Sequence, residues 1–118
     1  MRLKSTFAIA LLAVLSAAVL PLPDVQRSAA EAAPARTVTV KITNFAFSAA
    51  VITVPAGTQV TWVNQDDDAH DIVADAGGFR STPLDTGDSY AFTFSHPGTY
   101  GYHCGLHPHM VGKVVVTP

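Results

Sequence analysis

The chain has 118 residues, a formal net charge of −2, 48% hydrophobic residues and a single cysteine. This length allows one ordinary domain. The lone cysteine excludes an intramolecular disulfide, and the lack of a basic excess leaves no electrostatic footprint for nucleic acid.

Met1 to Lys4 carry two positive charges, Phe7 to Leu20 form an apolar run, and a Pro- and Ala-rich stretch follows. That three-part layout predicts a secretory signal with its cleavage region over residues 1–32, cut after Ala32 in preference to Ala30. The run is short for a bilayer span, so no stable membrane insertion is expected after processing; an uncleaved anchor is the competing reading. Residues 33–118 then form the domain, exported to the periplasm or the extracellular space. Within it, four basic side chains face seven acidic ones. A chain of this size buries only about 60% of its unfolded surface and often needs a staple or a metal.

From Thr37 onward the hydrophobic period is two. Val38, Val40 and Ile42 alternate with Thr39, Lys41 and Thr43, and Val60 and Trp62 alternate similarly. These are strands. Pro55-Ala56-Gly57 is a turn signal, and Asn64 to Asp68 ends the next run in turn-forming residues. A strand is expected to resume over His70 to Ala74 and to break at Gly77-Gly78, with Ser81 to Asp88 as loop. Tyr90, Phe92 and Phe94 share one strand face, Pro97-Gly98 turns the chain, and Thr99 to Cys104 and Val111 to Thr117 are the last two strands. Seven or so short strands without a long amphipathic helix predict an all-β fold, a Greek-key antiparallel β-sandwich. Trp62, Phe92, Phe94, Val114 and Val116 are read as its core, not as a cofactor box.

The stretch from Tyr100 to Gly112 holds the only cysteine and three of the five histidines. Cys104, His107 and Met110 recur at three-residue steps, and thiolate, imidazole and thioether together select copper over harder cations. A fourth ligand must come from elsewhere in the chain, and His70, after the Asp66 to Ala69 turn, is the best candidate. His96 is expected at the opposite end of the sandwich. His103 alternates with Cys104 along one strand and so points to the other face; it reads as a surface imidazole, with a second metal ligand as the sharper alternative. His109 reads as an exposed non-ligand. Zinc is disfavoured because a thioether is a poor zinc ligand.

Cys104-x-x-His107-x-x-Met110 after Gly98-Thr99-Tyr100-x-Tyr102, followed by Gly112-x-Val114-x-Val116, resembles the blue copper proteins (cupredoxins), in their amicyanin/plastocyanin-like short-loop form. The resemblance covers most of residues 37–118. It implies one mononuclear type 1 copper ion, with His70, Cys104 and His107 in a trigonal plane and Met110 as a long axial ligand. Two positions depart from the family pattern: Asp71 stands where Asn is frequent, and Gly105 where Ser or Thr is frequent. The side-chain bond that ties the two ligand loops is therefore expected to be absent, although the Asp71 backbone N–H could still donate to the Cys104 sulfur.

The function so implied is that of an electron carrier and not an enzyme, a monomer cycling between Cu(I) and Cu(II). Its partner would be a transient redox protein such as a c-type cytochrome or a dehydrogenase. His107 would be the electron gate, with Leu106, Pro108 and Pro83 as apolar surroundings. Copper storage or delivery with the same ligands is the alternative. A multi-copper enzyme would need more imidazoles than His96 and His109 leave spare. Asp66-Asp67-Asp68 reads as a solvated turn, with steering of a basic partner as the sharper possibility.

Overall fold

A computed structural model describes residues 13, 14, 16–19 and 36–118. Apart from six positions, the expected signal and its cleavage region lie outside the described residues. No helix among the described residues is long and apolar enough to cross a membrane.

Residues 37–117 form eight strands: β1 (Thr37–Thr43), β2 (Ala46–Ser48), β3 (Val51–Pro55), β4 (Thr58–Asn64), β5 (Val73–Ala74), β6 (Ser89–Phe94), β7 (Gly98–His103) and β8 (Val111–Thr117). They make two four-stranded sheets, ordered β2-β1-β4-β6 and β3-β8-β7-β5. The all-β sandwich is as the sequence predicts. Its sheets are mixed, however, and not purely antiparallel: β1 pairs parallel with β4, and β3 pairs parallel with β8. The reason lies at Pro55-Ala56-Gly57. This turn does not close a hairpin but carries the chain from one sheet to the other. Its amides reach both sheets, Ala56 N–H donating to Thr117 O at 2.8 Å and Gly57 N–H to Phe94 O at 2.7 Å. Gly57 has φ +91°, a conformation suited to glycine.

Period-two patterning fills the interior. In β4, Thr58, Val60, Trp62 and Asn64 face inward and are buried, while the residues between them are half-buried. Trp62 is the hub of the core, with ring centroids 5.3 Å from Tyr102, 5.9 Å from Tyr90, 6.0 Å from Phe79 and 6.4 Å from Phe94. Large aromatics each bury about 150–250 Å². Phe94, Val114 and Val116 are buried as expected, and Phe92 packs half-buried against them. Phe79, which follows the Gly77-Gly78 break, also belongs to this cluster. The Trp62 indole N–H and the Tyr102 hydroxyl are buried without a hydrogen-bond partner. Burial raises the Tyr102 phenol above its ordinary value, and the neighbouring Trp62 offsets part of this.

The strand expected over His70 to Ala74 is only two residues long. Its earlier donors are spent on side chains: Asp71 N–H points at Cys104 Sγ at 3.4 Å, and Ile72 N–H donates to Ser81 Oγ at 2.8 Å. His70 is held instead by an isolated bridge to Leu84, its N–H donating to Leu84 O at 3.1 Å and its own carbonyl accepting from Leu84 at 2.7 Å. The segment before it is organised by Asn64, the last inward residue of β4. Asn64 Nδ2 donates to Asp68 O and Leu84 O, both at 2.9 Å, and its Oδ1 accepts from Asp66 N–H at 2.9 Å. A buried amide thus fixes the turn that delivers His70.

Candidate metal centre

Three side chains converge where that turn meets the end of β7. His70, Cys104 and His107 each offer one ligand atom, and the three atoms lie within 4.8 Å of one another. Cys104 Sγ is 3.8 Å from Nδ1 of both histidines, and the two Nδ1 atoms are 3.2 Å apart. These spacings would let all three atoms reach one metal ion at bond lengths of about 2.0–2.3 Å, of the order found for zinc. One thiolate and two imidazoles form a donor set that would suit copper. His70 and Cys104 are fully buried, and His107, on the ligand loop, is the half-buried member of the three.

The loop after Cys104 is closed by its own backbone. Cys104 N–H donates to Met110 O at 3.0 Å, and Met110 N–H donates to His107 O at 2.9 Å. Met110, the residue that ends this turn before β8, is buried at 3% exposure. Leu106 is 50% exposed, and Pro108 and His109 also face solvent.

The cross-loop tie expected to be missing is present in another form. The Asp71 carboxylate Oδ1 accepts the Gly105 backbone N–H, and the Asp71 backbone N–H approaches the Cys104 sulfur. Asp71 is therefore acceptor and donor to consecutive residues of the ligand loop. A Cβ at Gly105 would sit 3.1 and 3.2 Å from the two Asp71 oxygens and 3.2 Å from Val73 Cγ2. Asp71 and Gly105 thus form a matched pair.

Of the remaining histidines, His103 lies on the face away from Cys104, as strand alternation predicts. Its Nδ1–H donates to Asp75 Oδ1 at 2.6 Å, a surface pairing that sequence reasoning did not foresee. His96 precedes β7 whereas Cys104 follows it, about 20 Å away along the strand.

Two residues at the centre escaped sequence reasoning. Asp66, read with Asp67 and Asp68 as a solvated turn, is in fact turned inward. His70 Nε2–H donates to Asp66 Oδ2 at 2.9 Å, which fixes the tautomer and leaves the Nδ1 lone pair for a metal. Asn44 N–H donates to Asp66 Oδ1 at 2.7 Å and Phe45 N–H to Oδ2 at 2.9 Å. Burial works against the Asp66 charge, but the Phe45 and Asn44 amides and the adjacent His70 ring outweigh it and hold the carboxyl below 3.8.

Phe45 is the second. It occupies the two-residue turn joining β1 to β2, where Asn44 and Phe45 have φ +52° and +56°. Asn tolerates this region, but for a larger residue it costs about 1–2 kcal/mol. The Phe45 ring stands nearly perpendicular to both imidazoles, with centroids 5.2 Å from His70 and 5.1 Å from His107. The signal that could have found it is an aromatic beside Asn44, where a hairpin of this length favours glycine.

The fold and the buried His-Cys-His group define a type 1 copper protein. A cupredoxin-like domain model matches residues 6–116, and the chain belongs to the cupredoxin-like family. It is 36% identical over 93 residues to amicyanin-alpha of Methylorubrum extorquens, covering 75% of this chain and 78% of that protein. Among solved structures, a purple cupredoxin from Nitrosopumilus maritimus superposes with TM-score 0.63 at 33% identity, covering 68% of this chain and 99% of its own. The copper-containing nitrite reductase of Thermus scotoductus gives TM-score 0.66 at 35% identity, but the match covers 70% of this chain and only 22% of that enzyme.

Proposed function

We propose that this chain is an exported type 1 copper protein that carries single electrons between redox partners and performs no catalysis of its own. The observation that carries the reading is the convergence of Cys104 Sγ and two imidazole Nδ1 atoms in a buried cluster with one half-buried member. His70, Cys104 and His107 would hold the copper, and buried Met110, at the end of the same loop, would supply a weak thioether as fourth donor.

Bound copper supplies one accessible electron, passing between Cu(I) and Cu(II). The chain's own contribution is rigidity. His70 is locked by Asp66, the Cys104 sulfur faces the Asp71 amide, and the loop of His107 is closed by two backbone hydrogen bonds. Fixed ligands need little rearrangement between oxidation states. Full burial of His70 and Cys104 also favours retention over release, and so supports carriage over copper delivery.

Electrons leave through His107. Around it, exposed Leu106, Pro108 and Phe45 make a small apolar surface suited to a transient partner, such as a c-type cytochrome or a dehydrogenase. The signal-like residues 1–32 support export and placement in the periplasm or outside the cell.

The test is the visible spectrum of the copper-loaded protein together with its metal content. One copper per chain and an intense thiolate-to-copper charge-transfer band are expected, and both vanish in Cys104→Ser. A colourless one-to-one complex in the oxidised, Cu(II) state would overturn the type 1 assignment. Electron self-exchange measured beside the copper off-rate separates carriage from delivery.

A further inference from the structure

The turn between β1 and β2 needs no aromatic residue. Glycine would adopt the left-handed conformation at position 45 without strain, yet a phenylalanine stands there with 45% of its surface exposed. Among the described residues, its aromatic neighbours are the two imidazoles of the metal centre, met nearly perpendicularly at 88° and 85°. The strain is held from outside the turn. Both backbone amides of the left-handed pair end on one carboxylate, Asn44 on Asp66 Oδ1 and Phe45 on Oδ2, and that same Oδ2 accepts the His70 ring N–H. Strained conformations persist where the surroundings over-determine them, and they mark functional positions.

Resting on the copper reading above, we propose that Phe45 is a positioning residue of the centre: a cap held in place by Asp66 that keeps His70 and His107 seated on copper in both oxidation states. The arrangement is a clamp with one anchor. Asp66 orients His70 from behind through Nε2, and through the turn amides it holds the partly exposed Phe45 ring perpendicular to both ligand rings. His107, the half-buried ligand on a short loop, has the most freedom to leave and gains the most from the cap.

The test uses the full chain loaded with copper, comparing wild type, Phe45→Gly, Phe45→Tyr and Asp66→Asn. Copper loss from the reduced protein to a Cu(I)-specific chelator is timed, the reduction potential is measured, and thermal unfolding of the metal-free forms is recorded. Phe45→Gly is expected to be at least as thermally stable as wild type without metal, because glycine relieves the turn, and yet to lose copper on the order of tenfold faster. Phe45→Tyr should restore wild-type retention. Asp66→Asn should speed copper loss and raise the potential, since it removes a negative charge that favours Cu(II). If Phe45→Gly keeps copper as long as wild type does, Phe45 is a turn residue only and the inference falls. A wild-type protein that lacks the charge-transfer band when oxidised to Cu(II) would instead overturn the copper reading itself.

Discussion

Asp71 holds Gly105 and Cys104 together: its carboxylate accepts the Gly105 amide proton while its own amide points at the Cys104 sulfur, 3.4 Å away. A buried carboxylate and a residue without a side chain thus take over the tie that two polar side chains make in the family pattern. Gly105→Ala would push a methyl group against both Asp71 oxygens and Val73. The expected cost is about 1–3 kcal/mol. Asp71→Ala leaves the Gly105 amide unpartnered, at a similar cost of about 1–3 kcal/mol. Since each change destroys the same arrangement, the double variant should lose less than the sum by about 0.5–3 kcal/mol, read from a thermal-unfolding cycle on the metal-free protein.

Gly112 faces a harder obstacle. A Cβ there would overlap the Tyr102 ring, which is fully buried and packed edge-on against Trp62 and Phe47. That ring cannot step aside. Gly112→Ala should therefore destabilise toward the upper end of the overpacking range, about 3 kcal/mol. Chemical denaturation checks this, and a loss within experimental error would show that β8 can shift away from Tyr102.

Met110→Leu separates ligand from core. The exchange nearly conserves volume, so stability should fall by less than about 1.5 kcal/mol. The reduction potential should nevertheless rise if Met110 is a ligand, because Cu(II) would lose a weak thioether donor that Cu(I) needs less. Voltammetry gives the answer; an unchanged potential would leave Met110 as packing alone.

Acid stability of the metal-free protein should carry the mark of Asp66. Its folded carboxyl titrates below the ordinary 3.8, because the Phe45 and Asn44 amides and His70 outweigh the opposing effect of burial. The stability this contributes is fully present above the unfolded value and is lost as pH falls through the lower folded value. Asp66→Asn should be less stable than wild type near neutrality, with the gap closing below about pH 4. Urea midpoints of the two proteins across that range provide the measurement.

Much of the site was legible because its chemistry is concentrated. One cysteine, a histidine three residues on and a methionine three further leave few interpretations, and His70 follows the acidic turn at the right end of the sandwich. Alternation placed Trp62, Phe94 and Val114 in the core and turned His103 outward. The remainder depends on contacts between segments remote in sequence. Strand parity cannot show that β1 lies parallel to β4. A three-residue β2 is too short to carry a period, so the β1–β2 turn went unread and Phe45 with it. Asp66 looks like its two acidic neighbours until Asn64 is seen to bend the turn and aim one carboxylate inward. Similarly, the Asp71–Gly105 pair reads as a missing bond until backbone donors are traced.

The parallel pairings have a kinetic consequence. β1 cannot meet β4, nor β3 meet β8, until the intervening chain has looped back, and such distant pairings place folding in the slow, millisecond-to-second regime of β-sandwiches. His70 and Cys104 are separated by 34 positions, and they come together only when the turn after β4 docks at the end of β7. An extended chain offers Cys104 and His107 as neighbours and nothing more. The complete ligand group is thus a late product of assembly, and full-affinity metal capture discriminates finished molecules from unfinished ones.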